Sequence, residues 1–196
     1  MHRGYLIHWS LFLLKDSQQG LESFLNLVFE KDYYSLIETS FVNLFKFLIV
    51  IAIITKSKTC IKSLKTTLKS LPYEDEYTKL FNSIFVNFDV EASFQRVKDV
   101  SLLMKKDFFL SGYEESFVNK SKEILVENFL ILNKSVDISV MAKYFDETPE
   151  ETKNFLIKIF ELNHPEATLQ SEGNCLKFDI ANSNTEAFVR KFIYLV

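Results

Sequence analysis

Glycine and proline are scarce, four and three in 196 residues, so few positions force a turn or stop a helix. That shortage argues against a fold of many short strands, which needs frequent turn residues, and favours long helices. Only two cysteines occur, Cys60 and Cys175, far apart and outside any Cys-x-x-Cys. A disulfide framework or a zinc site therefore has nothing to rest on, and a reducing compartment, the cytoplasm, is expected. Histidine is equally sparse. His2 lies at the terminus, His164 precedes Pro165, and His8 sits within Leu6-Ile7-His8-Trp9, where a hydrogen-bonded packing role is expected. No His-Glu-x-x-His, phosphate-binding glycine loop, dinucleotide fingerprint or nucleophile elbow occurs, so no catalytic residue, cofactor or metal is expected and the chain is not read as an enzyme.

Charge of one sign is missing as well. A net charge of −3, with acids and bases interspersed, gives no chain-wide field for attracting phosphate backbones. Long hydrophobic runs are also absent. Residues 41–54 are the most apolar stretch, but they fall short of the roughly 20 needed to cross a bilayer and include Asn43 and Lys46, so a buried central helix is expected and no membrane. Residues 5–14 imitate a signal core behind Arg3, yet His8 and Ser10 interrupt them and no small-residue cleavage site follows, so they read as a helix. What the chain does have is apolar bulk: 47% hydrophobic residues, with twenty phenylalanines, enough for a sizeable core.

From residue 1 to about 112 helical text is broken only by short polar stretches at 15–20, 30–32, 55–59 and 72–76. Connections that short make successive helices neighbours, the arrangement of bundles and stacked helical hairpins. Within residues 89–106, Val90, Phe94, Val97 and Ser101 recur at helical steps, while Glu91, Gln95, Lys98 and Lys105 fall on the wetted side. Ser111-Gly112 is the best boundary, dividing a helical region at 1–112 from a module at 113–182 and a last helix at 183–196.

The last third changes pattern. A helix over 113–133 precedes the short extended piece Val136-Asp137-Ile138 and a small helix at 140–145. Thr148-Pro149-Glu150-Glu151 then starts another helix, with threonine as N-cap, proline at the first helical position and Glu151 placed to reach back to the cap. Phe155, Leu156, Ile159 and Phe160 form its apolar face, and His164-Pro165 stops it. Residues 167–170 and 175–180 read as two strands around a loop holding Gly173 and Asn174, with Leu176, Phe178 and Ile180 facing the core. Helix, short strand, helix, helix and hairpin is the order of a winged helix. Ser183 and Glu186 open a last helix striped by Phe188, Val189, Phe192, Ile193 and Val196. The fold expected is mainly α: a helical-hairpin bundle, then a winged-helix module with a small antiparallel β-wing and a C-terminal helix.

A winged helix often reads DNA with its second helix. Here Asp146, Glu147, Glu150 and Glu151 crowd the end that would approach phosphate, against only Lys153 and Lys158, so direct nucleic-acid binding is expected to be weak or absent. Protein partners fit better. Ile157 falls on the side of its helix away from the core stripe. The wet face of the last strand, Cys175, Lys177 and Asp179, belongs to a very small sheet whose edge offers backbone groups for strand pairing. Phe188, Phe192 and Ile193 lie at a chain end that a small monomer would struggle to cover.

Leu6-Ile7-His8-Trp9-Ser10-Leu11-Phe12, Val86-Asn87-Phe88-Asp89, Asp107-Phe108-Phe109-Leu110 and Thr148-Pro149-Glu150-Glu151, in that order, resemble the PCI-domain family, and within it the E-type subunits of eukaryotic translation initiation factor 3, over roughly residues 5–180. The resemblance implies a non-catalytic subunit that assembles with other PCI subunits of initiation factor 3 through sheet edges and a shared helical bundle, and meets the small ribosomal subunit through that complex. It also implies a long helical region upstream of the part matched, and the stretch around 56–77 is shorter than in the family. A PCI subunit of the proteasome lid or the COP9 signalosome is the neighbouring alternative, and a DNA-binding winged-helix regulator the alternative from another class.

Overall fold

The computed structural model describes residues 2–15, 18–29, 31–132, 135–163, 168–172 and 175–179. Among them run α1 (His2–Ser10), α2 (Gln18–Phe29), α3 (Lys31–Ser40), α4 (Phe45–Thr55), α5 (Lys58–Ser70), α6 (Glu76–Phe85), α7 (Val90–Lys106) and α8 (Glu114–Leu132). The winged-helix elements follow: β1 (Ser135–Asp137), α9 (Ile138–Phe145), α10 (Pro149–Asn163), β2 (Thr168–Glu172) and β3 (Cys175–Asp179). The mainly α fold expected from the sequence is the one observed.

α4 is the centre of the helical region. It is apolar on every side, nine of its eleven residues are buried, and it packs against α2, α5, α6 and α8. The apolar run does not form one straight helix, however. Phe41, at φ −134° and ψ 46°, and a 3-10 turn over Val42–Leu44 precede it, so Tyr33–Ser40 and Val42–Thr55 meet at 111°. Among the described residues no single helix is long and apolar enough to cross a membrane.

The polar breaks are built from caps. Lys56 ends α4 in the left-handed region at φ 50°, and Ser57 accepts from the Cys60 N–H at 3.4 Å to start α5. Asp75 and Thr78 cap α6 reciprocally, each backbone N–H donating to the other's side chain at 2.7 Å. Asp89 caps α7 by accepting from the Ala92 N–H at 3.0 Å. The expected α7 stripe is present, with Phe94, Val97 and Ser101 buried, although Val90 is only half-buried. Residues 11–15, expected to continue the first helix, instead tighten into a 3-10 turn. Gly20 permits that turn: a Cβ there would lie 2.0 Å from the Leu13 carbonyl oxygen, a contact no side chain tolerates.

α8 starts behind a 3-10 turn over Ser111–Tyr113 and packs against α4, α6 and α7. Its Asn128, buried, donates from Nδ2 to the Ile84 carbonyl at 3.0 Å. The buried apolar side chains form one cluster from Ile7 to Leu176, so the winged helix shares its packing with the helices before it.

The three strands lie in the order β1-β3-β2, both pairings antiparallel. Val136 and Leu176 stand opposite each other and are fully buried, seating the sheet on the core. Asp137 ends β1 and caps α9, accepting from the Ser139 N–H at 2.8 Å. The capping box expected at the start of α10 is formed: the Thr148 N–H donates to Glu151 Oε2 at 3.0 Å, and the Glu151 N–H donates to Thr148 Oγ1 at 3.3 Å. Thr148→Ala is expected to lower stability by about 1 kcal/mol, read as a shift of the urea midpoint without a change of slope.

Two details differ from the sequence reading. β3 is the central strand: Cys175 pairs with Asp137 and Glu172, and Lys177 pairs with Ser135 and Gln170, so neither offers an edge. Asp179 pairs with Thr168 alone, beyond the reach of the three-residue β1. β1 is too short for its alternation to reveal that it returns to pair with the hairpin, and the outer edges therefore belong to β1 and β2. Ile157, expected on the outside of α10, is half-buried, as is Phe155, while Leu156 and Ile159 form the fully buried face. The side chain of Phe160, the expected helix over 183–196 and its Phe188, Phe192 and Ile193 lie outside the described residues.

Candidate functional site

The winged helix is where the readings diverge, because the start of α10 would have to be free to enter a DNA groove. The turn that leads into it is tied to the helical region. Asp146 ends α9 in the left-handed region at φ 54°, and this turn points its carboxylate at Lys98 of α7, to which it is hydrogen-bonded. The neighbouring Glu147 accepts from Lys122 Nζ of α8 at 2.5 Å, and that ammonium also lies 5.0 Å from the centre of the Phe145 ring. Tyr144 stacks on Phe94 of α7 at 5.2 Å, and Phe145 meets Phe94 edge-on at 5.3 Å and Phe155 at 5.6 Å. Glu151 is engaged by Thr148, whose hydroxyl and N–H hold its carboxyl below the usual carboxylate range.

These contacts revise the electrostatic argument. The sequence alone presents the four carboxylates as free charges that repel phosphate, yet Asp146 and Glu147 are matched by lysines of the helical region. The turn between α9 and α10 is tethered to α7 and α8 through these lysines, the start of α10 stays exposed, and the charges left there against phosphate are those of Glu150 and Glu151.

Among the described residues no group of three or more His, Cys, Asp or Glu is placed to hold a metal ion. Cys60 is buried in α5, and burial pushes its thiol well above the ordinary cysteine pKa, away from nucleophilic character. His8 is exposed, its Nδ1 lies 2.9 Å from the Gly4 carbonyl oxygen, and its ring meets the Phe41 ring edge-on at 5.0 Å, the packing role its neighbours suggested.

Over most of its length the chain is similar to curated proteins with one common name. It is 26% identical over 170 residues to the E subunit of eukaryotic translation initiation factor 3 from Cryptococcus neoformans, covering 80% of this chain and 37% of the relative. With the E subunit from Bombyx mori the identity is 24% over 174 residues, 87% of this chain and 39% of the relative. With that from Dictyostelium discoideum it is 24% over 184 residues, 89% and 35%. The chain is related to the E subunits of eukaryotic translation initiation factor 3.

No family model matches it. It spans about two fifths of the length of the E-subunit relatives it matches. Of the surfaces expected to meet partners, the sheet edge lies, among the described residues, on β2 and β1 rather than on β3. It also exposes a surface that the sequence reading passed over, the aromatic side of α1. Leu6-Ile7-His8-Trp9 is apolar on all sides, and a helix of that kind reads as buried, although the 5, 9, 12 spacing of Tyr5, Trp9 and Phe12 marks a separate stripe.

Proposed function

We propose that the chain acts as a non-catalytic scaffold component of eukaryotic translation initiation factor 3, working in the cytoplasm with other PCI subunits and supporting initiation on the small ribosomal subunit. The observation that carries the reading is a winged helix packed on a helical bundle, its outer strands β1 and β2 each paired on one side only among the described residues, in a chain related to the E subunits along most of its length. The exposed start of α10 carries Glu150 and Glu151, which disfavours phosphate there, and the sheet edge is the surface this reading uses. The outward N–H and C=O groups of β2 pair with a strand of a neighbouring PCI subunit, adding backbone hydrogen bonds without a groove or a cofactor. Residues 1–112 serve as the helical arm, 113–182 as the module that docks, and 183–196 as a helix joining a shared bundle through Phe188, Phe192 and Ile193. Ile157, half-buried on α10, belongs to the rim of that surface.

The test replaces Phe188 and Phe192 together with aspartate. Helical circular dichroism is expected to persist while co-purification with other PCI subunits is lost, because two carboxylates cannot enter an apolar bundle. Undiminished co-purification would remove the partner role of that helix. Co-sedimentation of the parent chain with small ribosomal subunits is the expected result; co-sedimentation with a proteasome or a deneddylating complex instead would assign it to the neighbouring PCI class.

A further inference from the structure

The interspersed charges of the whole chain hide one segregated stretch. Between Glu38 and Glu74 lie six lysines and not one carboxylate. Two of the six are matched across the fold, Lys46 by Asp107 and Lys56 by Glu123 and Glu127. The other four, Lys58, Lys62, Lys65 and Lys69, fall on α5 at i, i+4, i+7 and i+11, a single helix face about 16 Å long. Lys58, Lys62 and Lys69 are exposed, and among the described residues no carboxylate pairs with them. Lys65 is half-buried, its ammonium 6.0 Å from the centre of the Phe88 ring.

Stability does not account for this face. Lysines three and four residues apart on a helix repel one another, and burial together with the charge of Lys69 holds the Lys65 pKa below the ordinary lysine value. Lys58 opens α5 directly after its cap, Ser57, where the helix dipole favours an acid, and the first turn has none. A helix shaped by packing alone would set glutamates between these lysines.

The chemistry of the face narrows the partner. Each lysine is followed by a hydroxyl, Thr59, Ser63, Thr66 and Ser70, so a second row of donors runs beside the ammoniums. Thr66 and Ser70 donate to carbonyls of their own helix at 3.1 Å and 2.9 Å, and an exposed hydroxyl rotates from such a carbonyl to a charged acceptor. Ammonium and hydroxyl donors are the groups that phosphate oxygens take. A protein partner would need apolar anchors, but Cys60, Ile61, Leu64 and Leu68 are buried beneath the lysines, and lysine and serine are depleted at protein interfaces. With its apolar side spent on the core, α5 has none to lay in a bilayer surface.

The acids around α5 are engaged or lie at its margin. Glu38 of α3 accepts from Thr67 Oγ1 on the buried side, and the side chain of Asp32 lies outside the described residues. Asp75 caps α6 and Asp89 caps α7. Glu74 is exposed beyond the end of α5, which leaves the field strongest around Lys58 and Lys62. Residues 180–196, the longest stretch outside the described residues, hold Glu186 against Arg190 and Lys191, so charge does not draw them onto this face.

We propose that the lysine and hydroxyl face of α5 binds the ribose-phosphate backbone of single-stranded RNA without reading its bases. The ammoniums meet successive phosphates, and the ribose 2′-hydroxyl gives the row of threonines and serines a partner that deoxyribose lacks. The proposal uses neither β2 nor residues 183–196 and does not rest on the initiation-factor reading.

The probe is a fluorescent RNA of about 12 nucleotides, titrated with the full chain at about 50 mM salt and read by anisotropy. Affinity is expected to fall with salt on a logarithmic slope of about −2 to −3, the value for three or four lysines on a single strand. Lys58→Gln with Lys62→Gln and Lys69→Gln should lower affinity at least about tenfold and flatten that slope. The melting temperature should stay level or rise, because repulsion along α5 is relieved. Lys106→Gln with Lys143→Gln and Lys158→Gln removes the same charge from exposed positions elsewhere and should leave binding near that of the parent. Equal losses from the two triple variants overturn the proposal, since net charge alone would then explain the binding. So does DNA of the same sequence binding as tightly as the RNA. A glutamate peptide of equal charge that competes as well as unlabelled RNA overturns it too, because the occupant would then be an acidic polypeptide.

Discussion

Phe117→Ala is expected to cost about 3–5 kcal/mol and to lower the melting temperature by roughly 10 °C. Phe117 is fully buried on α8, a helix that packs against α4, α6 and α7, so its truncation opens a cavity in the core that close packing fills only in part. Phe155→Ala is the contrast. That side chain sits half-buried on α10 with one edge against Phe145, and neighbouring atoms and water can occupy part of the space it leaves, so about half the loss is expected. Chemical unfolding of the two variants side by side checks the ranking; an equal cost would mean that α10 is packed as tightly as α8.

The second large effect concerns charge. Lys56, the left-handed residue that ends α4, donates to Glu127 at 2.9 Å and lies 3.1 Å from Glu123, both on α8. Burial alone would lower its pKa, but the charge of Glu127 and hydrogen bonds to both carboxylates outweigh that and raise it above the ordinary lysine value. Lys56→Ala withdraws this cation from a Glu127 side chain that is only 11% exposed. Breaking a buried pair costs about 3–5 kcal/mol, and because the Lys56 side chain is itself 31% exposed a loss of about 2–3 kcal/mol is expected. Lys56→Met with Glu127→Leu should recover most of it, since neither charge then remains to be desolvated. A lysine pKa raised by folding adds stability that is complete below the unfolded value, about 10.4, and is lost as pH rises through the higher folded value. The gap in melting temperature between the parent and Lys56→Ala should therefore narrow only in strongly alkaline buffer. A gap that closes near neutral pH would assign the loss to packing of the lysine stem instead.

Local chemistry made much of the fold legible. Thr148 and Glu151 form the cap that their spacing announces, Asp75 and Asp89 start helices at polar breaks, and β2 and β3 pair antiparallel where two strands were expected. Each of these depends on residues within a few positions of one another, so the sequence carries the whole interaction. Errors arose where the deciding contact is distant. The break at Phe41 lies where Glu38-Thr39-Ser40 meet the apolar run, with no glycine or proline beside it to announce a 111° bend.

By itself the sequence determined a helical chain ending in a winged helix, because period, caps and turn residues act over one or two turns. It could not assign the sheet order. A strand as short as Ser135–Asp137 carries no register of its own, and its pairing with β3, about forty residues away, rests on Val136 and Leu176 being buried together. Nor could it say which apolar residues face water. Trp9 and Ile7 are equally apolar in the text, and only the positions of α2, α3 and the turn at Asp107 leave Trp9 outside and Ile7 fully buried. Burial is a property of what a residue meets across the fold, and that is set by the tertiary structure.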